Sequence, residues 1–420
     1  MSSLRTLVAA LALGPCLAAC TAQPRVVRVY DGRIVEGRFV SPEAYAAFLR
    51  GVLAEESGDL KAAVAAYAIA VDEDEGDPEI MARIGEARCK LEPKDPLADR
   101  AFDAALKRDP ASASALAAKG RCALARGRTG EAVELARLAS VQDPNNVGLE
   151  ALVVRAAASR TDASTRERAI ALTLAHGESA VAWDALVVWG RGHQDVQLVV
   201  RGLEGLVRTA PARSVEAERA ARALLDSGDV ALARRLACAV ADAPRALGVI
   251  GPRDATVARL AVDEALLRGD RAVALTRATR GHVSLAEVAA RAVLLDQKEL
   301  GASIAASVAD ADPGASGAVM VRAALSASGA VGLKPRPDLL ARITDQPPEL
   351  CALLFADRLA TVAGAEVARQ WLARITRTPM ASGDPLGGPL ARDLAARGVL
   401  PMTDLPAELR GTAKSVRATE

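Results

Sequence analysis

The side chains that most often carry chemistry are scarce in this sequence. It has three histidines, His176, His193 and His282, and each of them lies next to a glycine. No two of them have the spacing of metal ligands, and the zinc-protease pattern His-Glu-x-x-His does not occur. Glycine commonly ends helices, so each imidazole is expected near a helix terminus, where it can meet unpaired carbonyl groups. The histidines therefore predict neither a metal site nor a catalytic base.

Other catalytic patterns are missing as well. The sequence contains no Cys-x-x-Cys pair, no Gly-x-x-x-x-Gly-Lys-Ser/Thr phosphate loop and no Gly-x-Ser-x-Gly nucleophile motif. The acidic run from Asp72 to Asp77 is expected to be a solvated helix end rather than a cation site. We predict no catalytic residue, no metal and no cofactor. Since aspartate and glutamate are plentiful, an enzyme with an unrecognised carboxylate site in residues 147–420 remains an alternative.

Composition favours a helical protein without a nucleic-acid partner. Of the 420 residues 51% are hydrophobic but only 2% aromatic, so the core material is mainly alanine, leucine and valine. Alanine has the highest helix propensity, which favours an all-α fold. The 53 lysines and arginines balance 52 aspartates and glutamates, giving a formal net charge of +1. Nucleic-acid binding usually requires a positive surface and stacking aromatic side chains, and this sequence has neither.

A spacing near 34 residues recurs between residues 41 and 146. Asp109-Pro110 returns as Asp143-Pro144 at this offset. Three glycines recur at intervals of 34 and then 35 residues, at Gly51, Gly85 and Gly120. A fixed period of this length is typical of stacked two-helix units, in which each unit buries its apolar face on its neighbours. The helices position whatever surface this chain presents.

The three hairpins resemble tetratricopeptide repeats. Helix one carries the small residue, and helix two carries alanine, a bulkier residue and a second alanine. These helix-two positions are Ala63, Tyr67 and Ala70, then Ala98, Phe102 and Ala105, then Ala132, Ala136 and Ala139. The sequence departs from the family at the early aromatic of helix one and by having Ala136 where a bulky residue is usual. The resemblance implies a right-handed α-solenoid that binds other proteins without catalysing a reaction.

The resemblance also implies where a ligand would lie. In this family, outward residues of the first helices line a concave face that takes extended or helical peptide segments. The matching positions here are Tyr45, Phe48, Val52, Glu79, Glu86 and Arg121. The lysine and asparagine pattern with which some members hold a peptide's terminal carboxylate is absent. Alternatively, Tyr45 and Phe48 pack on Phe39 of the preceding segment instead of facing a ligand.

The first nineteen residues resemble an export signal. Arg5 gives a positive start, and residues 7–13 form an apolar core that is too short to span a membrane. Leu17-Ala18-Ala19-Cys20 resembles the bacterial lipobox, which implies cleavage before Cys20 and lipidation of its thiol. Acyl chains attached there would hold the N-terminus in a bilayer. The alternative is an ordinary secretory signal with a chance cysteine.

Two neighbouring residues refine this interpretation. Cys16 is a less suitable acceptor, because Pro15 spoils the small-residue pattern before it. Thr21 stands where an aspartate would retain a lipoprotein in the inner membrane of well-known bacteria. Its presence implies an outer-membrane protein that faces the periplasm or the cell surface.

Export bears on the remaining cysteines. Cys89 and Cys122 fall in the first helices of adjacent repeats and could approach each other, and the periplasm permits disulfides. Buried free thiols are nevertheless the favoured interpretation for these two residues, as for Cys238 and Cys351. A disulfide between the first two remains an open alternative.

The rest of the chain divides less sharply. Asp31-Gly32 between β-branched residues predicts a short hairpin or an extended tether after the signal. Gly-Asp pairs at Gly228 and Gly269 predict further helix turns, and prolines become frequent after residue 314. We therefore expect five parts: a signal peptide, 1–19; a tether, 20–40; three repeats, 41–146; divergent helical hairpins, 147–313; and a C-terminal hairpin with a cap, 314–420.

These patterns predict a lipid-anchored, non-enzymatic scaffold of the bacterial envelope. Its partner would be another envelope protein or a peptide segment of one, and its membrane contact would be through Cys20. A structural repeat lipoprotein without a fixed partner is the alternative. Fold alone does not choose between these functions.

Overall fold

The computed structural model describes residues 25–30, 33–38, 41–73, 77–159, 163–244, 251–312, 316–327, 349–375, 384–406 and 409. The chain divides into two compact units, Met1–Thr165 and Arg166–Glu420, which we call unit 1 and unit 2. Cys20 and the predicted signal segment lie outside the described residues.

Unit 1 begins with the short hairpin that the sequence predicts. Strands β1, Arg25–Tyr30, and β2, Arg33–Arg38, pair antiparallel. Val29 lies opposite Ile34, and Arg25 lies opposite Arg38. The Asp31-Gly32 turn itself lies outside the described residues. An isolated two-stranded hairpin is marginally stable in water, so this element has little rigidity of its own.

Helices form the rest of unit 1. They are α1, Pro42–Glu56; α2, Leu60–Glu73; α3, Pro78–Leu91; α4, Pro96–Arg108; α5, Ala113–Ala125; α6, Thr129–Gln142; and α7, Val147–Ala156. α1 pairs with α2, α3 with α4, and α5 with α6, and α3 also packs on α5 of the next hairpin. Stacked two-helix units of this kind confirm the predicted all-α solenoid class.

The helix starts follow from local sequence. The Ser41 hydroxyl accepts a hydrogen bond from the Ala44 N–H at 3.0 Å, and the Asp77 carboxylate accepts one from the Glu79 N–H at 2.8 Å. Each cap is followed by a proline in the first turn of the helix. Capping satisfies donors that have no intrahelical partner, and proline there loses no hydrogen bond.

The recurring glycines leave room for bulky side chains of the paired helix, and we call each such space a seat. A Cβ atom added at Gly51 would lie 2.4 Å from the Tyr67 ring, and one added at Gly85 would lie 2.6 Å from the Phe102 ring. Both rings are fully buried. In the third repeat Ala136 replaces the ring, so Gly120 has more space around it. The departure of the third repeat from the family pattern thus changes how closely its two helices interlock.

This difference predicts opposite effects of one substitution. Gly85→Ala is expected to lower the free energy of unfolding of unit 1 by about 1–3 kcal/mol, because the methyl group overlaps the Phe102 ring. The matched control Gly120→Ala places its Cβ 3.4 Å from the Leu135 side chain, an ordinary contact. It is expected to be neutral or stabilising by up to about 1 kcal/mol, because alanine favours helix. Hydrogen exchange of unit 1 amides measures both, and equal effects would contradict the proposed seat.

Unit 2 also consists of paired helices, but its sequence repeats less regularly. Its helices are α8, Ala163–Ala175, which contains the boundary; α9, Ala180–Gly192; α10, Val196–Thr209; α11, Ser214–Asp226; α12, Val230–Ala241; α13, Ala255–Leu267; α14, Arg271–Arg280; α15, Leu285–Leu294; α16, Lys298–Ala311; α17, Ser316–Ala327; α18, Glu349–Ala363; α19, Ala365–Ile375; and α20, Gly387–Ala396. The predicted turns lie between α11 and α12 and between α13 and α14. Their glycines, Gly228 and Gly269, have φ of 90° and 71°, where glycine is favoured.

The C-terminal part of unit 2 belongs to its core. Leu394 of α20 and Leu405 beyond it are buried in the same apolar cluster as Leu350 and Leu353 of α18. The three tryptophans, Trp183, Trp189 and Trp371, are buried as well. In the described part of the chain, none of the helices combines the length and the apolar character needed to cross a bilayer.

Candidate binding surfaces

The structure separates the six residues predicted for a concave binding face. Tyr45 is 56% exposed and remains available to a partner. Phe48 and Val52 are partly buried against the core of the first repeat, and the Phe48 ring lies 5.8 Å from the ring of Tyr67. Packing on Tyr67 thus occupies Phe48. Its alternative contact, Phe39, lies outside the described residues.

Glu86 and Arg121 bind each other. Two nitrogens of the Arg121 guanidinium donate to the two carboxylate oxygens of Glu86 at 2.8 and 2.7 Å. Glu86 is 8% exposed, whereas Glu79 is exposed and has only a long contact, 3.8 Å, to Arg83. Paired guanidinium and carboxylate groups of this kind fix geometry strongly. Glu86 and Arg121 therefore join α3 to α5, while the Arg121 side chain stays 45% exposed.

A similar link joins the first repeat to the second. The Glu55 carboxylate accepts from Lys90 Nζ at 2.6 Å and from the Tyr67 hydroxyl at 3.0 Å. Lys90 also lies 3.3 Å from Glu86, so the charges form one continuous row across three repeats. Both inter-repeat contacts, from Glu55 to Lys90 and from Glu86 to Arg121, span 35 residues. The repeat period thus sets the charge pairing as well as the apolar packing.

Electrostatics support this description of the row. Burial raises the pKa of Glu86, but the hydrogen bonds and charges of Arg121 and Lys90 outweigh it and hold the pKa below its ordinary value. Burial also raises the pKa of Glu55. The hydrogen bonds from Lys90 and Tyr67 outweigh this effect, so the pKa of Glu55 lies below its ordinary value. Burial and the neighbouring Glu55 raise the pKa of Tyr67. The row is therefore charged at neutral pH, and its charged side chains are paired with one another.

The structure corrects the interpretation of two cysteines as free thiols. Cys89 and Cys122 form a disulfide, with 5.8 Å between their Cα atoms. The bond joins α3 to α5 beside the Glu86–Arg121 pair. Equivalent positions of stacked helices lie close together, which brings residues 33 apart in sequence within bonding range. Cys238 and Cys351 are free, as expected, and burial raises the pKa of Cys238 to about 11.

Unit 2 presents an open surface that sequence reasoning missed. Two clefts of about 650 and 320 Å³ lie along α11 and share Val215 and Arg219. We call them together the α11 trough. The larger cleft is lined by Arg191, Arg213, Val215, Glu216, Arg219 and Ala220. The smaller cleft adds Glu218, Arg222, Ala223, Asp226 and Asp254.

Charges at the larger end of the α11 trough are paired. Glu216 accepts from Arg191 at 2.8 Å through one carboxylate oxygen and from Arg213 at 2.8 Å through the other. Arg213 also donates to Asp184 at 2.6 Å. Burial lowers the pKa of Arg213, but its two carboxylate partners raise it by more. These side chains hold one another in place at the wall of the cleft.

Charges at the smaller end are held by backbone groups or by each other. One oxygen of Glu218, a residue that is 6% exposed, accepts from the N–H groups of Arg253 and Asp254 at 3.1 and 3.0 Å. Its other oxygen is buried without a hydrogen-bond partner. Arg222 donates to Thr256 at 2.8 Å and to Asp226 at 3.4 Å.

Arg219 differs from every other charged residue of the trough. It is exposed, it lines both clefts, and it has no hydrogen-bond or ion-pair partner in the part of the chain that the structure describes. A guanidinium group offers five donors in a planar fork that matches a carboxylate. No sequence signal distinguishes Arg219 from the other arginines of α11, because its freedom depends on what its neighbours bind.

A buried ionic cluster lies elsewhere in unit 2. Arg291 donates to both oxygens of Asp263 at 2.6 and 2.7 Å and to Asp384 at 3.0 and 2.9 Å. Arg259 donates to Glu287 at 2.7 Å. Burial raises the pKa of Asp263, and the charge of Arg291 opposes that rise. Neither cleft of the α11 trough is lined by these residues.

This cluster brings three carboxylates of the segment 147–420 together around two arginines. Asp263, Glu287 and Asp384 all accept hydrogen bonds from arginine. Among the described residues no three histidine, cysteine, aspartate or glutamate side chains are grouped to hold a metal ion. His193 packs its ring on Trp189 at 3.9 Å, with Nδ1 3.0 Å from the Trp189 carbonyl, as expected at a helix end.

Known proteins share features with this chain. Residues 30–78 and 96–147 match a family model described as tetratricopeptide repeat, which together is about a quarter of the chain. No curated protein matches the sequence.

Several solved structures are similar to parts of the fold. pilF of Pseudomonas aeruginosa is 18% identical, with a TM-score of 0.31 over 57% of this chain and 90% of that chain. A tetratricopeptide repeat protein from Parabacteroides merdae is 12% identical, with a TM-score of 0.36 over 58% of this chain and 93% of that chain. Naa15/Naa10 bound to HypK-THB is 13% identical, with a TM-score of 0.30 over 81% and 69%. The match to the tetratricopeptide repeat model lies within unit 1.

Proposed function

We propose that this chain is a lipid-anchored scaffold of the bacterial envelope that binds another envelope protein. Tetratricopeptide repeats bind proteins or peptides, and the repeats of unit 1 together with the open α11 trough provide surfaces for that purpose. The observation that carries the envelope assignment is the Cys89–Cys122 disulfide. Disulfides persist in exported proteins and are rare in the reducing cytosol.

The anchor rests on the N-terminal sequence. Leu17-Ala18-Ala19-Cys20 provides an alkylatable thiol at the expected end of an export signal. Two or more acyl chains attached there would give stable membrane attachment, at about 0.8 kcal/mol for each buried CH₂ group. The hairpin of β1 and β2 then lies between the anchor and the first helix of unit 1.

Cys20→Ala is expected to abolish lipid labelling and to release the protein from the membrane fraction. The reason is that the thiol is the only proposed point of lipid attachment. Metabolic labelling with a clickable fatty acid, followed by membrane fractionation, measures both effects. Cys16→Ala is the matched control and is expected to keep label and membrane attachment. Continued membrane attachment of Cys20→Ala would exclude the proposed anchor.

The scaffold function is tested in the same cells. Chemical crosslinking of the wild-type protein, followed by mass spectrometry of what it captures, is expected to identify an envelope protein. Capture of cytosolic proteins alone, or of nothing above an untagged control, would count against a scaffold in this compartment.

A further inference from the structure

We propose that the α11 trough binds an extended, acidic peptide segment and that Arg219 anchors one of its carboxylate side chains. This rests on the proposed scaffold function and names the chemistry of the partner at one surface. Three observations carry it: the length of the trough, the two alanines in its lining, and one arginine at its centre that has no partner among the described residues.

The trough has the dimensions of a short peptide. Its lining residues on α11 run from Val215 to Asp226, a distance of about 16 Å at the rise of an α-helix. An extended chain advances about 3.3 Å per residue, so about five residues fit along this length. A small inorganic anion would occupy only a fraction of the two joined clefts. The shape therefore selects a linear ligand.

The floor of the trough permits close approach. Ala220 and Ala223 lie one turn apart on the lining face of α11, with Val215 at one end. Their short side chains leave room for the main chain of a ligand to lie against the helix. Longer charged side chains of α11 line the same clefts, where they can contact ligand side chains.

Charge decides which segment fits. At one end Glu216 is neutralised by Arg191 and Arg213. At the other end Arg222 lies beside Asp226, and Glu218 and Asp254 accept hydrogen bonds from backbone N–H groups. Each of these side chains has a partner, although one oxygen of Glu218 has none among the described residues.

Among the described lining residues, Arg219 alone retains its full donor capacity, and it lines both clefts. An aspartate or glutamate of the ligand can accept two parallel hydrogen bonds from its guanidinium. A basic ligand side chain at the same place would be repelled. The preferred segment therefore has an acidic residue near its centre.

The test is a selection of random ten-residue peptides on full-length, detergent-solubilised protein. The enriched peptides are expected to share an aspartate or glutamate at one position. The best of them is then measured by fluorescence anisotropy. Arg219→Gln is expected to weaken its binding ten-fold or more, because the charged hydrogen bonds are lost.

The control is Arg374→Gln, which changes another exposed arginine without a partner in the described residues, on α19 and outside the trough. It is expected to leave binding unchanged. Arg219→Glu is expected to reverse the selection toward lysine and arginine. Unchanged thermal unfolding of each variant shows that the fold is intact.

Failure to enrich any peptide, enrichment without an acidic position, or equal binding by Arg219→Gln would each overturn the inference. The lipid-labelling and crosslinking results would stand in those cases, because neither depends on Arg219. Loss of the anchor with intact peptide binding would contradict the proposed membrane attachment and leave the peptide site standing.

Discussion

Arg291→Met is expected to lower the free energy of unfolding of unit 2 by about 3–5 kcal/mol. The Arg291 side chain is fully buried, and it donates to Asp263, which is also fully buried. Its remaining nitrogen reaches Asp384, which precedes α20. Removing the arginine leaves two buried carboxylates without their main cation, which is far costlier than losing one contact.

The measurement can be confined to unit 2 because all three tryptophans of the chain lie there. Urea unfolding followed by tryptophan fluorescence therefore reports this unit. Arg235→Met is a matched control: Arg235 pairs with Glu204 at 2.8 Å, but both side chains are partly exposed. Such surface pairs contribute about 0–1 kcal/mol. An Arg291→Met variant no less stable than this control would contradict the assigned role.

A second variant separates charge from packing. Adding Asp263→Leu to Arg291→Met removes one of the stranded carboxylates and fills part of the space. Replacing a buried ion pair by apolar groups is often tolerated, so the double variant is expected to recover part of the lost stability. Failure to recover any would indicate that the loss came from disturbed packing around Asp384.

Loss of the Cys89–Cys122 disulfide is expected to destabilise unit 1 by about 3–4 kcal/mol. The bond closes a loop of 33 residues, and a crosslink of that length restricts the unfolded chain substantially. The variant with both cysteines changed to alanine is the cleanest form of the experiment. Faster hydrogen exchange of α3 and α5 amides, with unchanged tryptophan fluorescence of unit 2, is the expected result.

Mass spectrometry decides whether the bond is present. Alkylation of the unfolded, non-reduced protein is expected to label Cys238 and Cys351 but not Cys89 or Cys122. If all four of these cysteines were alkylated in protein isolated from the envelope, the result would contradict the disulfide. It would also remove the observation on which the compartment assignment depends.

The regular part of the fold was accessible to sequence reasoning because it depends on local chemistry. Ser41 and Asp77 cap helices that begin at the next residue, which is a proline in both cases. The seats at Gly51 and Gly85 follow from a small residue facing a ring one helix away. Because these features recur in successive repeats, recognising them in one repeat identifies them in the next.

Interactions between repeats were harder to foresee. Glu86 and Arg121 were predicted for a ligand-binding face, but that they pair with each other was not foreseen. Cys89 and Cys122 were interpreted as free thiols, but they are joined. In each case the partners are more than 30 residues apart and on different helices. Their distance depends on how the helices stack, which one helix cannot show.

By itself, the sequence determined the all-α class, the period of the hairpins and the helix caps of unit 1, because propensity, capping and spacing act over a few residues. Only the tertiary structure decided which charges are used up and which are free. Arg219 and Arg291 are the same residue type on similar helices. Arg291 is fully buried between carboxylates, and Arg219 is exposed and has no partner among the described residues. That difference arises because burial and pairing depend on residues that the fold brings together from distant parts of the chain.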